Sequence, residues 1–368
     1  MDGWVPRSEI ERGEINASLY AADLWKVYEG KAHPRYQDPK EFFKRTYFTT
    51  TLKRILENTA RRLSVDGDVN PVILITTPLG GGKTHTLIAI YHLAKSGGSE
   101  EVAEILRGEG IPVPSSRPLV VVFDGSQLDP RYLQKEYGSK TLWHYIFMEI
   151  YRGTRLDLAR VNAEMYRDFD TVPGAEPIAK ILEALEAQNR PLVLLIDETL
   201  SYVNNLEGWE REKIVMFLHN LARAFTQVSR SLLVITLVSE KDSEEIAHRL
   251  KQPVQRVSDI KQVTSLEDLP HLVRKALLEY VDDKAAKKAA SEMASEYERN
   301  KDVFSSVYIA EELERWYPLH PEVAKIIADL QDALPGIQRT RDALRIIAWT
   351  IHNMWKNGER GFIMPGDI

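Results

Sequence analysis

Residues Thr77-Pro78-Leu79-Gly80-Gly81-Gly82-Lys83-Thr84 combine what is needed to hold a polyphosphate. Glycines let backbone N–H groups turn inward, a lysine reaches anionic oxygens, and a hydroxyl can ligate a divalent cation. The run follows the apolar segment Val72-Ile73-Leu74-Ile75 and leads into a helical pattern through Leu87, Ile88, Ile90, Tyr91 and Leu93. Strand, glycine turn and helix N-terminus therefore come in the order that anion binding requires. Lys83 is expected on the β- and γ-phosphates of a nucleotide and Thr84 on Mg2+. Thr77 stands where such loops usually begin with glycine, and the three successive glycines that follow preserve the freedom of the turn. His85 is counted with the binding segment. His85 and His92 share one helix with no third ligand in view, so both are read as structural residues rather than metal ligands.

A second group of chemically able residues ends the apolar run Leu194-Leu195-Ile196 with the adjacent carboxylates Asp197 and Glu198. Asp197 is suited to hold Mg2+ through its water shell, and Glu198 to polarise an attacking water as general base. A kinase for small molecules needs no further acid beside its metal ligand, so Glu198 points to ATP hydrolysis.

The elements that must position these groups alternate. Strands are predicted at Val72–Ile75, Leu119–Phe123, Leu192–Ile196 and Leu232–Val238, with helices over 141–152, 176–187 and Ile214–Phe225 between them. Near-continuous apolar strands separated by helices imply an α/β core with a parallel sheet and helices on both faces. From residue 265 onward only helical periods are visible, at Leu269–Val281, Ala285–Tyr297, Pro321–Leu330 and Arg341–Trp355. In the last of these Leu344, Ile347, Ile351 and Trp355 form a stripe. Asp38-Pro39 starts a helix carrying Phe42 and Phe43, and Thr49 or Thr50 caps another bearing Leu52, Ile55, Leu56, Ala60 and Leu63. Lys53, Arg61 and Arg62 of that helix are read as a solvated face. The expected division is an N-terminal helical extension over 1–69, a phosphate-loop α/β core over 70–264 and a small all-helical domain over 265–368.

Composition narrows the function classes. The 368 residues contain no cysteine, which excludes disulfides, thiolate metal sites and a cysteine nucleophile. Abundant Glu, Lys and Arg without Cys lean toward a thermophilic source. No apolar run spans a bilayer and no export signal opens the chain, so a cytoplasmic protein is expected. The net charge of −6 gives no support to a general nucleic-acid coat, although DNA contact through a local patch stays open.

With these motifs placed, the chain resembles AAA+ ATPases, a phosphate-loop α/β core followed by a helical lid. That resemblance implies a polar residue at the exit of the Leu232–Val238 strand touching the γ-phosphate or the water: Ser239, with Thr236 as alternative. It also implies an arginine at the start of the last long helix, Arg341 first and Arg345 second. Arg223, Arg230 and Arg256 are candidates for an arginine finger acting between subunits of a homo-oligomer.

More closely, the chain is similar to the N-terminal region of a family of large prokaryotic ATPases of unknown function. The matching residues are Asp38-Pro39, Arg45-Thr46-Tyr47, Gly80 to His85 with Ala89 and Tyr91 to Ala94, and Val122-Phe123-Asp124-Gly125. Further matches are Thr141-Leu142-Trp143, Ile196-Asp197-Glu198 with Tyr202, Leu319-His320-Pro321-Glu322, Arg339-Thr340-Arg341 to Leu344-Arg345, and Pro365-Gly366-Asp367-Ile368. The resemblance implies a longer protein working beside adenine-specific DNA methylases in restriction or phage defence. Three expectations follow: an ATPase that remodels a macromolecular complex, a slow nucleotide-dependent switch gating a partner such as a methylase, or an initiator-like DNA loader.

Overall fold

The computed structural model describes residues 3–64, 69–77, 81–96, 99–139, 141–156, 171–238, 248, 257–304, 307–333 and 339–368. In chain order the described elements are β1 (Trp4–Pro6), α1 (Ser8–Glu11), α2 (Ala17–Tyr20), α3 (Leu24–Tyr28), α4 (Pro34–Gln37), α5 (Pro39–Arg45), α6 (Thr50–Arg62), β2 (Val72–Thr77), α7 (Lys83–Lys95) and α8 (Glu100–Gly108). There follow β3 (Leu119–Asp124), α9 (Pro130–Tyr137), α10 (Leu142–Thr154), α11 (Ala175–Ala187), β4 (Leu192–Asp197), α12 (Thr199–Val203), α13 (Gly208–Phe225), β5 (Leu232–Val238) and β6 (Val257–Ile260). The last group is α14 (Leu269–Leu277), β7 (Leu278–Val281), α15 (Asp283–Arg299), α16 (Ala310–Trp316), α17 (Pro321–Ala333) and α18 (Arg339–Lys356).

The chain divides into two compact units. One comprises residues 23–43 and 50–263, the other 1–22, 44–49 and 264–368. In the first, five parallel strands run in the order β3-β4-β5-β2-β6. Every residue of β2, β3 and β4 is buried, which a strand achieves only when both faces of its sheet are covered. One face packs Leu74, Val121, Leu194 and Ile235 against Tyr145, Ile181, Phe217 and Leu221 from α10, α11 and α13. On the other lies α7, whose Leu87, Ile88, Ile90 and Leu93 are fully buried. β5, late in the sequence, lies between β4 and β2, and β6 lies on the far side of β2. The sheet thus changes direction at β2, and such a switch point opens a crevice beyond the carboxyl ends of the strands.

Among the described residues the second unit consists of helices and an antiparallel strand pair, β1 with β7, beside an isolated bridge between Leu319 and Ile363. Its core joins Trp4, Ile10, Leu19 and Tyr20 to Val273, Leu277, Val323, Ile347 and Ile351. Trp4 Nε1 donates to the Gly361 carbonyl at 2.8 Å. Three details depart from the sequence reading. Residues 1–69 are shared between the two units, because Trp4 and Ile10 bury with the C-terminal helices while α6 lies against α7. The predicted helix Leu269–Val281 stops at Leu277, its last four residues pairing as β7 with β1. Arg62 is no solvated residue: it is 2% exposed, and its guanidinium donates to the carbonyls of Ser231 at 3.0 Å, Phe225 at 3.2 Å, Val69 at 3.4 Å and Val228. Among the described residues no helix is long and apolar enough to cross a membrane.

Candidate active site

The carboxyl ends of β2, β4 and β5 bring Lys83, Thr84, Thr236, Asp197 and Glu198 together. Gly82 adopts a left-handed backbone (φ 84°), which lets α7 start directly at Lys83. Lys83 is 7% exposed and its ammonium donates to the Thr77 carbonyl at 3.0 Å, folding the side chain back over the loop. One position on, the Thr84 hydroxyl donates to Asp197 Oδ2 at 3.0 Å. Asp197 is thereby tied to the phosphate loop across the intervening β5.

The other oxygen of Asp197, Oδ1, accepts from the Thr236 hydroxyl of β5 and from the Glu198 N–H at 3.1 Å. Burial raises the Asp197 pKa above the usual carboxylate value, and the Glu198 charge adds to the rise; the bonds from Thr236, Thr84 and the Glu198 N–H oppose it. A buried carboxylate tied to a hydroxyl in this way suits a hard divalent cation that would offset its desolvation. Mg2+ fits better than a metal needing a protein cage, since it is held by one or two side chains, water and phosphate oxygens. Among the described residues no cluster of three His, Asp or Glu side chains forms such a cage.

Glu198 lies at φ 49°, a left-handed backbone that costs a non-glycine residue about 1–2 kcal/mol. The turn redirects the chain from β4 straight into α12. Its carboxylate accepts from the Ser201 hydroxyl at 3.3 Å, and the Thr199 hydroxyl donates to the Thr236 carbonyl at 3.1 Å. Lys83, Glu198, Thr199, Leu200 and Thr236 enclose a cavity of about 10 Å3, room for about one water molecule. A carboxylate, an ammonium and a water-sized space are the parts of a hydrolytic centre.

Other expected residues lie elsewhere. Pro78, Leu79, Gly80, Ser239 and Arg256 fall outside the described residues. Thr236, the alternative to Ser239, contacts Asp197 directly. His85 makes a ring contact with Phe42 at 4.6 Å between centroids, and burial followed by the nearby Arg35 charge lowers its pKa to about 4. His92 Nε2 bonds the Tyr36 carbonyl at 2.7 Å. Both histidines thus seat α4 and α5 on α7. Arg341 and Arg345 stand on the first turns of α18, in the other unit, where Arg345 pairs with Asp342 at 3.5 Å. Arg223 is exposed at the end of α13. Arg230 bonds Asn189 Oδ1 at 2.7 Å and the Glu186 carbonyl, so it holds the turn before β5.

Sequence reasoning gave no role to Asp124 and Gly125. Asp124 stands in register beside Asp197, 6% exposed, and burial raises its pKa although the Ser126 hydroxyl bonds it. A strand ending in Asp-Gly was the available signal.

The family model for the DUF499 N-terminal domain matches residues 13–268, and that for the DUF499 second domain matches residues 265–368. No curated protein matches the chain by sequence. Among solved structures, Cdc6p from Pyrobaculum aerophilum is similar at 14% identity and a TM-score of 0.41, over 89% of this chain and 68% of that one. The ADP form of the ORC2 protein from Aeropyrum pernix is similar at 13% identity and a TM-score of 0.36, over 82% and 68%. PCH-2 from C. elegans is similar at 12% identity and a TM-score of 0.28, over 83% and 68%. These likenesses are loose, and the chemistry rests on the site's own geometry.

Proposed function

The chain belongs to the DUF499 family, and from the site it carries we propose that it binds ATP with Mg2+ and hydrolyses the nucleotide. The observation that supports this most is that Lys83, Glu198 and Thr236 line a water-sized cavity at the carboxyl ends of three strands, while Asp197 is bonded by Thr236 and by Thr84. Backbone N–H groups at the start of α7 receive the phosphates, and Lys83 exchanges its bond to the Thr77 carbonyl for the β- and γ-phosphate oxygens. Thr84 and Asp197 hold Mg2+, which when bound neutralises charge on the β- and γ-phosphates. Glu198 orients a water toward the γ-phosphorus and accepts its proton, a role worth about 10²–10⁴ in rate.

We assign the turnover to work on a macromolecular partner, with a DNA-modifying defence enzyme as the partner class. What supports that finer reading is the family resemblance carried by the motif strings, which implies a place beside DNA methylases. Calorimetric titration of ATP with and without Mg2+, beside Lys83→Ala, tests the binding half, and phosphate release tests the rest. Mg2+-dependent binding abolished by Lys83→Ala, with phosphate release, agrees with the proposal. Tight binding without turnover under any condition moves the protein to the nucleotide-gated switch.

A further inference from the structure

Gly125, on the turn that leaves β3, has no room for a side chain. A Cβ built on it would lie 2.2 Å from the Glu198 carbonyl oxygen and 2.9 Å from Tyr202 Cβ. The first obstacle is backbone and cannot swing aside. The Gly125 N–H also donates to the Asp197 carbonyl at 3.0 Å, so this one residue touches both halves of the Asp-Glu pair. The turn around it is fixed by Asp124, whose Oδ1 accepts from the Ser126 N–H at 2.9 Å and the Ser126 hydroxyl at 2.7 Å. The Asp124 carbonyl accepts from Gln127 and Leu128. Opposite stands Glu198, whose left-handed backbone needs its surroundings to hold it.

We propose that the Asp124–Gly125–Ser126 turn is a positioning element for Glu198, holding its backbone at the end of β4 and thereby aiming its carboxylate at the water-sized cavity. The inference rests on the ATPase reading for its effect on rate, but not for the contact itself. An ordinary strand-end turn would touch neighbouring loops anywhere. This one reaches closest at the carbonyl of the proposed general base, which itself accepts the Ser201 N–H at 3.0 Å to begin α12.

The test compares wild type, Gly125→Ala, Asp124→Ala and Asp124→Asn in ATP affinity, turnover at saturating ATP, and amide hydrogen exchange across residues 197–204. Gly125→Ala should bind ATP within about threefold of wild type while kcat falls at least about 30-fold, the split that marks loss of an interaction used in the reaction. The Ser201 and Asn204 amides, bonded in the first turns after Glu198, should exchange faster. Asp124→Asn keeps an acceptor for Ser126 and should rescue most of the turnover that Asp124→Ala loses. Equal loss of binding and rate in Gly125→Ala, wild-type turnover in it, or no rescue by Asp124→Asn would overturn the proposal. If wild type itself never turns over ATP, the ATPase reading fails, and unchanged exchange in Gly125→Ala then overturns the positioning contact separately. Should Gly125→Ala not fold, the Asp124 pair decides.

Discussion

Thr236 of β5 donates its hydroxyl hydrogen bond to Asp197 Oδ1 on the neighbouring β4. Asp197 is fully enclosed, so this hydroxyl helps keep it ionised against the cost of burial. Thr236→Val keeps the shape and removes the donor. A bond to a charged acceptor is worth about 1.5–3 kcal/mol, so the Mg2+ concentration that half-saturates ATP binding should rise roughly 10-fold or more. Thr236→Ser should stay near wild type. A Mg2+ titration of ATP binding at constant pH reads both.

Arg62 clamps four main-chain carbonyls around the start of β2 and the turn before β5. Arg62→Met retains most of the volume but leaves those buried acceptors short of donors. Stability should fall by about 3 kcal/mol or more, seen as a lower urea midpoint with an unchanged slope.

Asp124 is a buried carboxyl group in register beside Asp197. Its pKa is raised in the fold, by burial first and then by Asp197, so ionisation opposes folding at every pH above the folded pKa. Asp124→Asn should therefore raise the melting temperature of the nucleotide-free protein at neutral pH, by roughly 2–4 °C for each ~1 kcal/mol gained. The gain should shrink as pH falls through the raised folded pKa and vanish below the unfolded value. Calorimetric melting at neutral and acid pH checks the sign.

His85 titrates in the opposite sense. Its folded pKa of about 4 lies below the unfolded value of 6.5, so below pH 6.5 the unfolded chain takes up a proton that the folded one refuses. Stability should decline as pH drops from about 6.5 toward 4, by at most about 1.4 kcal/mol per pH unit from this residue. His85→Gln should flatten that part of the profile in urea unfolding, with no change of slope above pH 7.

The loop and the Asp-Glu pair were legible because both are local: a few adjacent residues carry the glycines, the charges and the strand-to-helix order. β6 was not, since Val257-Ser258-Asp259-Ile260 is short and half polar, and only its pairing with β2 makes it a strand. Neither was β1 with β7, where Glu279 and Tyr280 continue a helical pattern in sequence and partners hundreds of residues apart decide the outcome. Thr236, named second to Ser239, bonds Asp197 because β5 lies beside β4, an order that the sequence cannot show; Ser239 lies outside the described residues. Arg62 misled for a similar reason, as three of its four acceptors lie far along the chain, within residues 225–231.

The most direct test of the account is ATP hydrolysis by the purified chain with Mg2+, followed as phosphate release beside Glu198→Gln. The account predicts turnover in wild type and a loss of about 100-fold or more in Glu198→Gln, with ATP still bound by the variant. Equal turnover in the two proteins would contradict it, as would wild-type ATP binding with no phosphate released.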